Sequence, residues 1–161
     1  MNHLTVAVQP PLKLYIAYAE HDSRFREQLT LHLAPIQREG EIVFWHERLI
    51  LPGQDRAIAV DERLEMADII LLLISPDFLA SDYLYNIEIN RALMRHAAGT
   101  AIVIPILLRP CFWTRTPLCQ LQPLPANSRA IKLWSNRDSA WLHVTAEICN
   151  LVNELRRRKR S

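Results

Sequence analysis

Glycine is nearly missing from this chain: Gly40, Gly53 and Gly99 are the only three among 161 residues. A dinucleotide-binding fingerprint needs three glycines within six residues after the first strand, and a phosphate-binding loop needs two followed by lysine. Neither pattern exists, which removes Rossmann dehydrogenases and P-loop NTPases from consideration. Cysteine is also scarce. Cys111, Cys119 and Cys149 are odd in number and show no pairing pattern, so they read as reduced thiols of a cytoplasmic protein. There is no Cys-x-x-Cys and no His-x-x-x-His, so no metal site is expected. No stretch approaches the ~18 apolar residues of a membrane span. The start, MNHLTVAVQPPLK, lacks the basic and apolar segments of a signal peptide. Ser75 lies outside a Gly-x-Ser-x-Gly elbow, which argues against a hydrolase serine. A phospho-receiver would want an aspartate where the third strand ends in Ser75-Pro76.

The net charge of +2 comes from one place. Arg156, Arg157, Arg158, Lys159 and Arg160 form a basic run; without these five, 14 basic residues face 17 acidic ones. A slightly acidic body is not built to hold nucleic acid along its surface. The run reads as a solvated helix end or the start of a linker, and its charge suits the negative end of a helix dipole.

What the chain does have is alternation. Leu12–Tyr18 reads as a strand, followed by a turn and a helix over Ser23–Ile36 with Asp22 as its N-cap. In that helix Phe25, Leu29, Leu33 and Ile36 share one face. Ile42–Trp45 is a second strand. The loop HERLILPGQD follows, with Leu49-Ile50-Leu51 apolar in an exposed setting. A helix over Arg56–Met66 turns Ala57, Val60 and Leu64 inward. Ile69–Ile74 is wholly apolar, the mark of a strand buried on both faces of a parallel sheet. Ser75-Pro76 breaks it, and the chain re-enters as a helix carrying Glu88. Ala101–Leu108 is a fourth strand with Pro105 inside it, which implies an edge, a strand end or a bulge. A proline-rich irregular stretch follows, then a short fifth strand at Ile131–Leu133. Asp138 caps a last helix with the stripe Trp141, Val144, Ile148, Leu151, Val152 and Leu155. The four tryptophans read as core. This order predicts an α/β fold, a flavodoxin-like three-layer sandwich around a five-stranded parallel sheet. The domain spans residues 12–156, between a flexible leader at 1–11 and a basic tail or linker start at 157–161.

From Leu12 onward the chain resembles a TIR (Toll/interleukin-1 receptor) domain of the bacterial type. The resemblance rests on LYIAYAEHD, FWHERLILPGQ, ADIILLLISPDFLASDYLYNIE, IVIPILLRPCFW and LWSNRDSAW, which occur in order. It implies a TIR fold and hydrolysis of NAD+ by one glutamate, at the position Glu88 holds. Nicotinamide is a good leaving group, and a carboxylate beside the ribose stabilises the cationic sugar it leaves behind. No metal or other cofactor is implied; NAD+ is the substrate. The resemblance also implies substrate contacts from Ala19, Glu20, His46, Arg48, Leu51 and Leu84. Relatives often carry tryptophan where Leu84 stands, and Tyr83 or Tyr85 would then supply the aromatic face. The implied partners are other TIR domains, stacked so that the HERLILPGQ loop of one completes the pocket of the next, and a sensor domain or protein. The implied setting is antiphage defence or signalling. Two other readings stay open from the residues: a non-catalytic TIR–TIR adaptor, with Glu88 in a solvated helical pair with Arg91, and a nucleoside deoxyribosyltransferase-like enzyme.

Overall fold

The computed structural model describes residues 9–160; the first eight residues of the leader, and Ser161, lie outside the described residues. The chain runs β1 (Leu12–Ala17), α1 (Ser23–Arg38), β2 (Ile42–Trp45), α2 (Arg56–Met66), β3 (Ile69–Ile74) and α3 (Pro76–Ala80). A π-helical segment, Leu84–Ile89, then leads into α4 (Asn90–Ala97), followed by β4 (Ile102–Leu107) and α5 (Arg137–Arg160). The strands form one parallel sheet in the order β2-β1-β3-β4.

Side-chain alternation divides the core into two layers. Leu14, Ile16, Ile69, Leu71, Leu73, Ile104 and Ile106 face one side, where α1 and α5 cover them with Leu29, Leu33, Trp141, Val144, Ile148 and Val152. Tyr15, Ala17, Ile70, Leu72, Ile74, Val103 and Leu107 face the other, against Val60 and Leu64 of α2, Phe78 of α3, and Leu84, Ile89 and Ala92. All six residues of β3 are fully buried, as its unbroken apolar run requires. The α1 helix stops at Gly40, whose φ of 78° is the left-handed conformation glycine takes without strain. There the Gly40 N–H donates to Gln37 O and the Glu41 N–H to Ile36 O, closing a Schellman motif.

Several sequence expectations are corrected. The sheet has four strands, and Ile131–Leu133 forms a 3₁₀ turn. The outer edge of β4 is already taken: the Leu107 N–H donates to Leu124 O, and the Leu124 N–H to Pro105 O, each at 2.8 Å. Because a residue in a parallel strand turns its N–H and C=O the same way, the missing N–H of Pro105 falls on this outer edge, where proline is tolerated. Ala57 is exposed, while Val60 and Leu64 are buried. Asp22 precedes α1 but its carboxylate does not cap it. At α5 the cap is Asn136, whose Oδ1 accepts from the Ser139 N–H, and Asp138 instead meets His32 at 3.3 Å. The α5 helix continues through the basic run to Arg160, where Arg157 and Arg158 meet Glu154, Lys159 approaches Asp68, and Arg156 reaches the carbonyls of Pro10 and Glu41.

Candidate functional site

In an open α/β sheet the crevice lies at the carboxyl ends of the strands, where the strand order reverses. Here the chain passes from β1 outward to β2, then back across β1 to β3, so the reversal lies between β1 and β3. Two adjoining recesses open at that edge. One, of about 240 Å³, is lined by Tyr18, Glu20, Ser23, Arg26, Glu47 and Arg48 among others. The second, of about 360 Å³, is lined by Ala19, Glu20, His21, Asp77, Tyr83 and Leu84 among others. Tyr18, Glu20, Glu47 and Arg56 line both.

Glu88 lies behind this cleft and does not line it. It is 1 % exposed and sits in the π-helical segment, one turn after Leu84. Such segments are frequent at functional sites, because the wider turn re-aims a side chain. The Tyr15 hydroxyl donates to Oε1 of Glu88. Among the described residues Oε2 has no hydrogen-bond partner. Burial pushes the Glu88 carboxyl up from 4.5 to about 7; the bond from Tyr15 and the charge of Arg56 oppose that push, and Glu47 adds to it. Arg56 and Glu47 both line the cleft and are joined by a 2.6 Å ion pair. Burial also raises the Glu47 carboxyl, against Arg56 and with help from Glu20. Partial burial, then the charges of Glu88 and Glu47, lift the Tyr83 phenol to about 12, with Arg56 opposing. The helical pair between Glu88 and Arg91 is not formed; Arg91 meets Asp61 and, at 3.8 Å, Glu65.

The structure thus gathers part of the expected set. Ala19, Glu20 and Leu84 line one recess, and Glu20 and Arg48 the other. His46 is buried between Tyr18 and Phe44, with its Nε2 3.4 Å from Arg26. Burial, with Arg26 and Arg48, lowers its pKa to about 4, so it is neutral at neutral pH and braces the cleft from behind. Leu51 is 65 % exposed and lines a separate groove of about 560 Å³ with Trp45, Leu49, Ile58 and Arg63. Of the aromatic candidates, Tyr83 lines the cleft, whereas Tyr85 is half-buried against the core.

Sequence reasoning missed a charge network that reaches the cleft through Asp77. Asp22 is 1 % exposed and accepts from the Ser75 hydroxyl and, at 3.0 Å, from Arg109. Ser75 accepts from the Phe78 N–H at 3.0 Å and so caps α3. Arg109 also pairs with Asp77, which holds that carboxyl below its usual range. One guanidinium therefore joins the turns after β1, β3 and β4. Among the described residues no cluster of three or more His, Cys, Asp or Glu side chains is placed to hold a metal, and no helix is long and apolar enough to cross a membrane.

Comparison with known proteins adds the following. A family model described as TIR domain matches residues 14–144. The uncharacterized protein y4lF of Sinorhizobium fredii is 42% identical over 135 residues; the match covers 84% of this chain and 42% of that protein, so this chain spans less than half of its relative's length. Among solved structures, the TIR domains of the activated Roq1 resistosome directly recognizing the pathogen effector XopQ align with a TM-score of 0.54 at 16% identity, covering 64% of this chain and 61% of that one. At that identity the likeness concerns the fold. The TIR domain of the Toll-related receptor TRR-2 from Hydra magnipapillata aligns with a TM-score of 0.45 at 24% identity, over 64% and 78% of the two chains.

Proposed function

The chain belongs to the TIR domain family, whose model spans most of its length, and from that membership we propose that it cleaves the nicotinamide–ribose bond of NAD+. The observation that carries the reading is Glu88: a buried carboxyl with one oxygen held and one unpartnered, directly behind the wall of the cleft at the strand-order reversal. In the reaction the glycosidic C–N bond breaks and its electron pair leaves with neutral nicotinamide. The ribose carbon is left cationic, and the Glu88 carboxylate, in a site of low dielectric, stabilises that charge. Water then adds to the carbon and loses a proton, giving ADP-ribose; attack by the adenine of the same molecule gives a cyclic isomer. Arg56 and Arg48 line the cleft as cations for the diphosphate, and Tyr83, 42 % exposed, offers a ring face.

The Glu88 carboxyl is closed off in the single chain, so it reaches substrate only after a local movement opens it to the cleft. Self-association supplies a reason for that movement. Leu49 and Leu51 are exposed on the loop after β2, and we assign them to the contact with a neighbouring TIR domain whose cleft this loop completes. Such an enzyme is nearly silent as a monomer and active when assembled, as suits a cytoplasmic effector of antiphage defence under the control of a sensor.

One observation favours a second reading. The solvated Glu88–Arg91 pair of a non-catalytic TIR adaptor is not formed, but a carboxyl closed off in the single chain suits a domain in which the same loop acts in docking alone. The two readings part in a concentration series. The protein is incubated with NAD+ from dilute to crowded conditions and free nicotinamide is quantified by chromatography. Release that rises faster than linearly with protein supports the enzyme. Silence at every degree of assembly leaves the adaptor.

A further inference from the structure

We propose that Tyr15 is a positioning residue for Glu88: its hydroxyl fixes one carboxylate oxygen, so that the other oxygen is free for substrate. The inference rests on the enzymatic reading above for its catalytic consequence, and on geometry alone for the coupling of the two side chains.

Tyr15 is 1 % exposed on β1, a strand hydrogen-bonded on both sides by β2 and β3. Its ring lies 5.4 Å from that of Trp45, which is held in turn by the Arg63 guanidinium at 5.8 Å. The phenol oxygen is therefore a fixed point, set by the most rigid part of the fold. Glu88 stands on a different element, the π-helical segment. A bond from the fixed hydroxyl to Oε1 determines where Oε2 lies. Tyrosine suits this role better than a charged donor. A buried cation would neutralise the carboxylate that the reaction needs, whereas a neutral O–H stabilises the anion and leaves its charge in place. The phenol also stays a donor at every working pH, because burial and then the Glu88 charge hold its own ionisation far above the ordinary tyrosine value. The groups that face Glu88 are Tyr15 from β1, Glu47 from the turn after β2, Arg56 from α2, and Tyr83 just before the π-helical segment. Of these, Tyr15 is the one that hydrogen-bonds to the carboxylate.

The test is Tyr15→Phe, which keeps the ring and removes the donor. The Glu88 carboxyl is titrated by carbon-13 NMR, its resonance identified by its loss in Glu88→Gln, and nicotinamide release is followed against pH on assembled protein. We expect the titration midpoint to rise by about one pH unit and the acid limb of the rate profile to move with it, since a hydrogen bond to a charged group stabilises that form by an amount of this order. Activity then falls several-fold at pH 7 and recovers at alkaline pH. A merely structural tyrosine would lower the melting temperature and move neither curve. Where Tyr15→Phe does not fold, 3-fluorotyrosine placed at position 15 gives a stronger donor and moves both curves to lower pH. An unmoved midpoint overturns the proposal. A midpoint that moves in a protein that releases no nicotinamide at any assembly state overturns the enzymatic reading and leaves the coupling standing.

Discussion

Replacing Glu88 by glutamine should stabilise the protein increasingly as pH rises, and the structure sets the size of the effect. The carboxyl titrates near 4.5 when the chain is unfolded and near 7 in the fold, with burial as the leading cause. Below pH 4.5 both states hold the proton and the group adds no pH dependence. Between those values the folded state keeps a proton that the unfolded state has released, so folding stability falls as pH rises; above 7 the loss is complete. At ~1.4 kcal/mol per pH unit, the loss between pH 5 and pH 8 is about 2.5 kcal/mol, allowing for the rounded ends of the two titrations. Glutamine keeps the Tyr15 bond, because its carbonyl oxygen still accepts, and it does not titrate. Whatever constant offset its buried amide introduces is the same at every pH. The assay is urea unfolding of both proteins at pH 5, 6, 7 and 8, followed by tryptophan fluorescence. The wild type should lose about 2.5 kcal/mol more than Glu88→Gln across that range. Two stability profiles that run parallel would refute the reasoning, for they would mean that Glu88 is hydrated in solution and not buried against Tyr15.

Two further outcomes are expected. Leu51→Asp should abolish self-association, read by light scattering, and nicotinamide release with it, while stability changes by no more than about 0.5 kcal/mol, because the side chain is 65 % exposed; a large loss of stability would place the residue in the core. Arg109→Ala should cost about 3 kcal/mol in urea unfolding, because it strands the buried Asp22 carboxylate with only Ser75 beside it; a cost below about 1 kcal/mol would show that the network contributes little.

The elements that were legible in the sequence are those whose signal is local. The run Ile69–Ile74 announces a two-face-buried strand, and the stripe from Trp141 to Val152 announces the last helix. The fifth strand misled because a segment as short as Ile131–Leu133 looks alike in a strand and in a 3₁₀ turn; Leu124, just before it in sequence, decides by occupying the edge first. Helix caps misled where two polar candidates stand close together, as Asn136 and Asp138 do. Glu88 could be singled out from its place after the third strand, but its bond from Tyr15 could not, because 73 residues separate the two. Tyr15 itself left a signal: a tyrosine inside an apolar strand must find a partner for its hydroxyl. The bridge from Asp22 to Ser75 to Arg109 left almost none, since its members lie 53 and 87 residues from Asp22 and no spacing rule connects them. Leu51 showed as an exposed apolar residue, yet which recess it faces is settled only by the path of the loop after β2.

The central claim is that a single carboxylate performs the cleavage, and one comparison tests it most directly. Wild type and Glu88→Gln, both brought to the assembled state at pH 8, are given NAD+ and free nicotinamide is measured over time. The glutamine variant keeps the Tyr15 contact, and its urea unfolding at that pH shows whether it is folded, so a loss of activity is separable from unfolding. The account predicts steady release by the wild type and none above background by the variant. Equal release by both would contradict it.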